Sequence, residues 1–122
     1  MAKAKIFVAR AIFPQVIEYL EQYFEVESNQ ADLVLSKEQL AQHLRDKDGA
    51  FTTGSDRIDA EVLAACPRLK ICANMAVGFN NFDLDAMTAR GVLATNTPDV
   101  LTETTADFGF ALMMATARRM TE

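Results

Sequence analysis

Three stretches of this chain combine residue types that can bind or activate a small molecule. They are Arg10, after Ile6-Phe7-Val8-Ala9; Gly54-Ser55-Asp56, after Ala50-Phe51-Thr52-Thr53; and Asn74-Met75-Ala76-Val77-Gly78-Phe79-Asn80-Asn81, after Leu69-Lys70-Ile71-Cys72-Ala73. In the third, Gly78 permits a tight turn in which successive backbone N–H groups aim at one point, a nest for a carboxylate or phosphate. A site built from amides needs no cationic side chain, so it is compatible with a chain of net charge −5. An ordinary turn satisfies the same pattern, and the spacing alone leaves both readings open.

Other chemistries find fewer residues. Ser55-Asp56-Arg57 sets a hydroxyl beside two charges, but a nucleophile needs a base within hydrogen-bond reach and none is suitably spaced; a loop in which Asp56 starts a turn accounts for it. His43, the only histidine, follows Leu40 by three residues among polar neighbours and is expected as a solvated surface residue rather than a general base. Cys66 and Cys72 lack companions at metal-ligand spacing and read as reduced thiols, with no metal site expected. The five glycines, Gly49, Gly54, Gly78, Gly91 and Gly109, never fall two apart, so the chain holds neither G-x-G-x-x-G nor a Walker A loop.

The scattered Lys and Arg in an acidic chain argue against a nucleic-acid surface. No apolar run approaches the ~20 residues that span a bilayer, and Met1-Ala2-Lys3-Ala4-Lys5 passes too quickly into a strand-like run to be a secretory leader. A cytoplasmic protein without membrane or nucleic-acid partners is expected.

The elements that must position these stretches follow from alternating β-rich runs and helix-period segments, the pattern of a parallel sheet between helices. Strands are expected at Ile6–Ala9, near Val26, at Ala50–Thr53, at Leu69–Ala73 and at Val92–Thr95. Pro14 opens a helix with apolar positions Val16, Ile17, Leu20 and Phe24. Ser36 caps one carrying Leu40 and Leu44, with Glu38 and Gln39 in its first turn. Asp59 to Ala65 is a third helix. Asp83 caps a fourth that ends at Arg90, with Gly91 in the left-handed C-cap conformation. The expected fold is α/β, a flavodoxin-like three-layer sandwich with a five-stranded parallel sheet in the order 2-1-3-4-5. Ligands of such sheets bind beyond the carboxyl ends of the strands, where all three stretches fall.

From Thr102 to Met120 the chain reads as one long helix, with Glu103 near its positive end and Arg118-Arg119 at its negative end. Apolar residues, among them Phe108, Phe110, Leu112, Met113 and Met114, cover most of its circumference, so burial on more than one side is expected. Another domain, another subunit or the chain's own sheet are the surfaces open to it.

Two long motifs resemble those of one family. Thr97-Pro98-Asp99-Val100-Leu101-Thr102-Glu103-Thr104-Thr105-Ala106-Asp107, leading to Ala115-Thr116-Ala117-Arg118-Arg119, resembles the interdomain helix of D-2-hydroxyacid dehydrogenases. Ala76-Val77-Gly78-Phe79-Asn80-Asn81-Phe82-Asp83 is similar to that family's substrate loop, and Val8-Ala9-Arg10 and Gly54-Ser55 resemble its glyoxylate/hydroxypyruvate reductase and 2-ketogluconate reductase branch. The resemblance implies that the amides of Val77 and Gly78 hold the carboxylate of a small 2-oxo acid such as glyoxylate or hydroxypyruvate, with Ala76 at their edge. It implies Gly54, Ser55 and Arg10 at the pocket rim and Thr105 against the nicotinamide of NAD(P)H.

The same resemblance implies what this sequence does not contain. The family's dinucleotide motif and its catalytic Arg, Glu and His follow the interdomain helix, and none lies within these 122 residues; nor does the C-terminal return helix that covers the substrate domain's sheet. The expectation is therefore a truncated substrate-binding domain, residues 1–100, plus the interdomain helix, residues 101–122, inactive alone and without bound cofactor. A homodimer through residues 102–120 is expected to cover the apolar helix. A stand-alone flavodoxin-like binding or interaction module is the second reading, although Arg10-Ala11-Ile12-Phe13 lacks the Ser/Thr/Gly loop of a flavin phosphate site and no receiver-type acidic cluster is present. A corepressor-like relative shares the fold and stays open.

Overall fold

The structure is a computed structural model that describes residues 2–122. Its elements alternate as β1 (Ala4–Val8), α1 (Pro14–Glu21), β2 (Phe24–Ser28), α2 (Lys37–Leu44), β3 (Gly49–Thr52), α3 (Ala60–Ala65), β4 (Ile71–Asn74), α4 (Leu84–Arg90), β5 (Leu93–Thr95) and α5 (Thr102–Ala117). All strand pairs are parallel and the order is β2-β1-β3-β4-β5, as the alternation implied.

The helix boundaries follow local chemistry. Ser36 accepts from the Gln39 amide while the Gln39 side chain accepts from the Ser36 amide, a reciprocal capping box. Asp59 and Asp83 cap α3 and α4 in the same sense. Gly91 ends α4 at φ 66°, a left-handed position that costs an L side chain about 1 kcal/mol or more. The strands shift by one or two residues from their expected bounds, and two expected helix ends move. Phe24 does not continue α1 but opens β2, because the helix is capped at Gln22 and the chain turns through Tyr23 into the ladder with Ala4. The last helix stops at Ala117 rather than Met120. There Arg119 takes φ 51°, and the amides of Met120 and Arg119 close onto the carbonyls of Ala115 and Thr116 at 3.0 and 3.1 Å.

One face of the sheet carries the core. Phe7, Ala50 and Cys72 are register partners across β1, β3 and β4, and they pack with Leu40 and Leu44 of α2, Val62 and Leu63 of α3, and Met87 of α4. On the opposite face Ile6, Gly49, Ile71 and Leu93 align. A Cβ on Gly49 would lie 3.3 Å from the Cγ2 atoms of both isoleucines, so glycine lets them close over the strand between them. That face is thinly covered: α1 contributes no buried residue, and Ile71 and Leu93 stay exposed.

His43 sits at the surface but is engaged there. Its ring is half-buried, stacked on Phe7 with centroids 4.6 Å apart and planes within 4°, and Nδ1 lies 2.6 Å from Glu27 Oε1. Helical spacing identified its polar neighbours on α2 but not the strands that pass beneath them. Glu27 also pairs with Lys47 at 2.8 Å. Burial opposes its charge, yet the hydrogen bonds from Lys47 and His43 outweigh that and hold the carboxyl below its ordinary range.

No residue of α5 is buried, and Phe108, Phe110, Leu112, Met113 and Met114, spread around its circumference, are all exposed. The helix stands off the sheet, so it is not the missing cover of the second face. Among the described residues no helix is long and apolar enough to cross a membrane.

Candidate anion site at the carboxyl edge of the sheet

The loops after β1, β3 and β4 meet at one edge because their strands are adjacent. The Met75 amide donates to the Thr52 carbonyl at 2.7 Å and the Ala9 amide to that of Phe51 at 2.9 Å, extending both ladders to the point where the loops begin. A Cβ on Gly54 would lie 3.9 Å from that of Ala76, so these two loops are in ordinary contact.

Arg10 ties the first loop to the second. Its Nη1 donates to Ser55 Oγ at 3.0 Å and its Nε to Asp32 Oδ1 at 2.8 Å; the Ala11 amide donates to the same carboxylate oxygen at 3.1 Å. The Arg10 hydrogen bond, aided by the Ala11 amide, holds the Asp32 carboxyl below its usual range, and Asp32 in turn favours the charged Arg10. Ser55 also meets Thr53 Oγ1 at 3.0 Å. Among the described residues this hydroxyl, held by a guanidinium and a second hydroxyl, meets no base to take its proton, so the geometry does not make Ser55 a nucleophile. Asp56 is buried and accepts from the amide and hydroxyl of Thr53 at 2.8 and 3.0 Å, which closes the turn.

Beneath the third loop lies a network of side-chain amides. Buried Asn74 accepts from Thr52 Oγ1 at 3.0 Å and donates to the Gly78 carbonyl at 3.0 Å. It also exchanges hydrogen bonds with Asn81, whose Nδ2 reaches the carbonyls of Thr53 and Asp56 at 3.1 and 2.9 Å. A short parallel bridge between Ile58 and Phe82 fixes the far end of the loop.

These anchors decide where the loop's N–H groups point. The Ala76 carbonyl accepts from the Thr97 amide at 2.9 Å, and the Val77 carbonyl from Asn96 Nδ2 at 2.8 Å. Two successive carbonyls thus face the end of β5. Among the described residues none of the peptide bonds is cis, and in a trans unit the N–H points opposite to the carbonyl. The Val77 and Gly78 amides therefore both face away from β5. Neither has an acceptor among the described residues.

The turn is made differently from the sequence reading. Gly78 does not adopt a positive φ, since among glycines only Gly91 does. The loop is bent by its anchors, not by glycine's conformational freedom. What Gly78 leaves is space: a Cβ there would meet nothing within 4 Å.

The structure brings Arg10, Gly54, Ser55, Ala76, Val77 and Gly78 to one edge. Thr105 is separate, exposed on α5, and among the described residues its hydroxyl makes no hydrogen bond to the loop. Two small apolar hollows flank the loop. One, of about 270 Å³, is lined by Ala11, Ile12, Phe13, Pro14 and Met75; the other, of about 180 Å³, includes Phe79, Phe82, Ala94 and Asn96. A wider depression of about 600 Å³ between α2 and α3 is lined by Glu38, Gln42 and Arg45 together with Ala41, Ala64, Ala65 and Pro67, and includes none of the three loop stretches. Among the described residues no group of three His, Cys, Asp or Glu could hold a metal ion.

Sequence reasoning named the amide donors but missed the residues that aim them, Asn96 and Thr97, and the partner of Arg10, Asp32. An asparagine at the carboxyl end of each of two neighbouring strands was the available signal, because an amide withdrawn from water there, fully at Asn74 and in part at Asn96, must find partners for its donor and acceptor.

The chain resembles known proteins over nearly its whole length. The glyoxylate reductase of Thermococcus kodakarensis is 48% identical over 120 residues, which cover 98% of this chain and 36% of that enzyme. The glyoxylate reductase of Pyrococcus furiosus is 48% identical over 118 residues, 97% of this chain and 35% of the relative. Among solved structures, the TT0316 protein of Thermus thermophilus superposes with a TM-score of 0.85 at 39% identity, over 97% of this chain and 38% of the other. The NADPH-dependent glyoxylate/hydroxypyruvate reductase of Sinorhizobium meliloti, in complex with NADP and malonate, gives 0.69 at 35% identity, over 94% and 34%. The chain thus spans about a third of the length of the curated relatives it matches. With the parallel sheet in place and the family of D-isomer specific 2-hydroxyacid dehydrogenases matching residues 6–122 in its catalytic domain, the chain belongs to that family.

Proposed function

We propose that this chain is the substrate-binding part of an NAD(P)-dependent glyoxylate/hydroxypyruvate reductase, and that its own task is to hold the carboxylate of a small 2-oxo acid. The observation that carries the reading is the pair of uncommitted amides at Val77 and Gly78, aimed together by carbonyls anchored on the Asn96-Thr97 side. A planar carboxylate takes two near-parallel N–H donors, and donors fixed in advance need no reorganisation when it arrives. Ala76 forms the edge of this cradle, while Gly54, Ser55 and Arg10 form the rim. Because Asp32 already pairs with Arg10, the rim adds orientation more than net attraction.

The family implies a nicotinamide cofactor, and the residues here fit one side of it. Space lies open over Gly78, and the exposed hydroxyl of Thr105 is available to contact it. When bound, that group supplies the hydride. This chain's residues bind and orient the acid and exclude water from one side. The division into a domain at 1–100 and an interdomain helix at 101–122 belongs to this reading, supported by the exposure of α5. So does a homodimer through residues 102–120, which would cover that apolar surface. Buried, unpaired Cys66 and Cys72 suit a cytoplasmic setting.

Saturation-transfer NMR tests the reading on the chain itself. Hydroxypyruvate is expected to receive saturation from the protein and to be displaced by oxalate, while NADH or NADPH with glyoxylate gives no turnover. Absence of transfer would remove the binding role, and appreciable cofactor oxidation would show catalytic machinery within these residues.

A further inference from the structure

We infer that Asn96 is a positioning residue for the carboxylate site: its side-chain amide fixes the Val77–Gly78 peptide plane and so aims the Gly78 N–H. The inference rests on the carboxylate-binding reading of this loop. Asn96 Nδ2 lies 2.8 Å from the Val77 carbonyl oxygen, which belongs to the same peptide unit as the Gly78 N–H. In a planar trans unit, fixing one end fixes the other. Drawing density toward that carbonyl also makes the N–H on the same unit a stronger donor.

The two donors have separate anchors. The unit carrying the Val77 N–H is held through the Ala76 carbonyl by the Thr97 backbone amide at 2.9 Å, a contact that survives side-chain substitution. The unit carrying the Gly78 N–H has the Asn96 side chain. No side chain of Gly78 restrains it, and the position of a Cβ there is empty to 4 Å, so glycine leaves the plane a wide range of φ and ψ. Asn74 holds the Gly78 carbonyl at 3.0 Å, which orients the next unit along. Asn96, only partly buried at the end of β5, can be changed with little loss of core.

The separation gives a signature that general loosening of the loop would not. In ¹⁵N-labelled Asn96→Ala titrated with glyoxylate, affinity is expected to fall roughly tenfold, with the Gly78 cross-peak no longer responding and the Val77 cross-peak still shifting. Dispersed signals from Leu63 and Cys72 report that the core is folded; if the alanine variant fails that check, Asn96→Ser is read in the same way. Both amides responding as in the unmodified chain would overturn the inference, as would both falling silent together, because the side chain would then only shape the loop. An unmodified chain in which neither amide responds would instead overturn the carboxylate-binding reading beneath it.

Discussion

Asn74 and Asn81 exchange a reciprocal pair of amide hydrogen bonds, at 3.0 and 3.2 Å, across the base of the loop that bears Val77 and Gly78. Through Asn81, whose Nδ2 also reaches the carbonyls of Thr53 and Asp56, the pair ties the end of β4 to the turn after β3.

Replacing Asn74 by Leu removes the acceptor of the buried Thr52 hydroxyl and the donor to the Gly78 carbonyl together. Groups left unsatisfied in the interior cost about 1–3 kcal/mol each, so a destabilisation of roughly 2–4 kcal/mol is expected in urea unfolding. A loss below about 0.5 kcal/mol, the range of ordinary surface changes, would show that the network is not rigid.

Acid should weaken the fold through Asp48. The Lys5 amide first, and then Arg68 and Lys70 against the opposing effect of burial, hold its carboxyl below the usual aspartate range. A carboxyl lowered in the folded state contributes stability that is complete above its unfolded pKa and is lost as pH falls through the folded one. Urea midpoints should therefore be flat from neutral pH to about pH 5 on account of this group, then fall below about pH 4. Asp48→Asn should be less stable at neutral pH and show a shallower acid decline; an unchanged slope would remove Asp48 from the account.

Both cysteines should be inert in the folded chain. Burial pushes the Cys72 thiol up to about 12 and raises that of Cys66 as well, leaving almost no thiolate at pH 8. Iodoacetamide is expected to label neither residue in the native chain and both after denaturation. Rapid native labelling would mean that the face packed against α3 opens readily.

The exposed aromatic and methionine side chains of α5 favour association of the isolated chain. Light scattering is expected to report a dimer, reduced toward monomer by Phe108→Lys with Met113→Lys. A sharp monomer mass, combined with strong hydrogen-exchange protection of residues 102–117, would mean that the helix folds back onto its own sheet.

The alternation was legible because α2, α3 and α4 announce themselves with a cap or a stop. Ser36, Asp59, Asp83 and Gly91 all occupy the positions their chemistry implied. Helix ends were harder to read where apolar residues run on: Phe24 fits a helical period as well as a strand, and only pairing with Ala4 decides between them. The site residues were legible as strand-end neighbours, but their directions were not. Asn96 and Val77 are nineteen positions apart, and no local pattern encodes a bond between them. The partners of His43 were hidden for the same reason, since Phe7 and Glu27 reach it from strands distant in sequence.

The central claim, that the Val77 and Gly78 amides hold a carboxylate, is most directly tested by a ¹H–¹⁵N titration of the unmodified chain with glyoxylate. The account expects both amide protons to move downfield and to saturate with one common dissociation constant, while an uncharged analogue leaves them unmoved. Shifts that cluster elsewhere with these two amides silent, or no shifts at all, would contradict it.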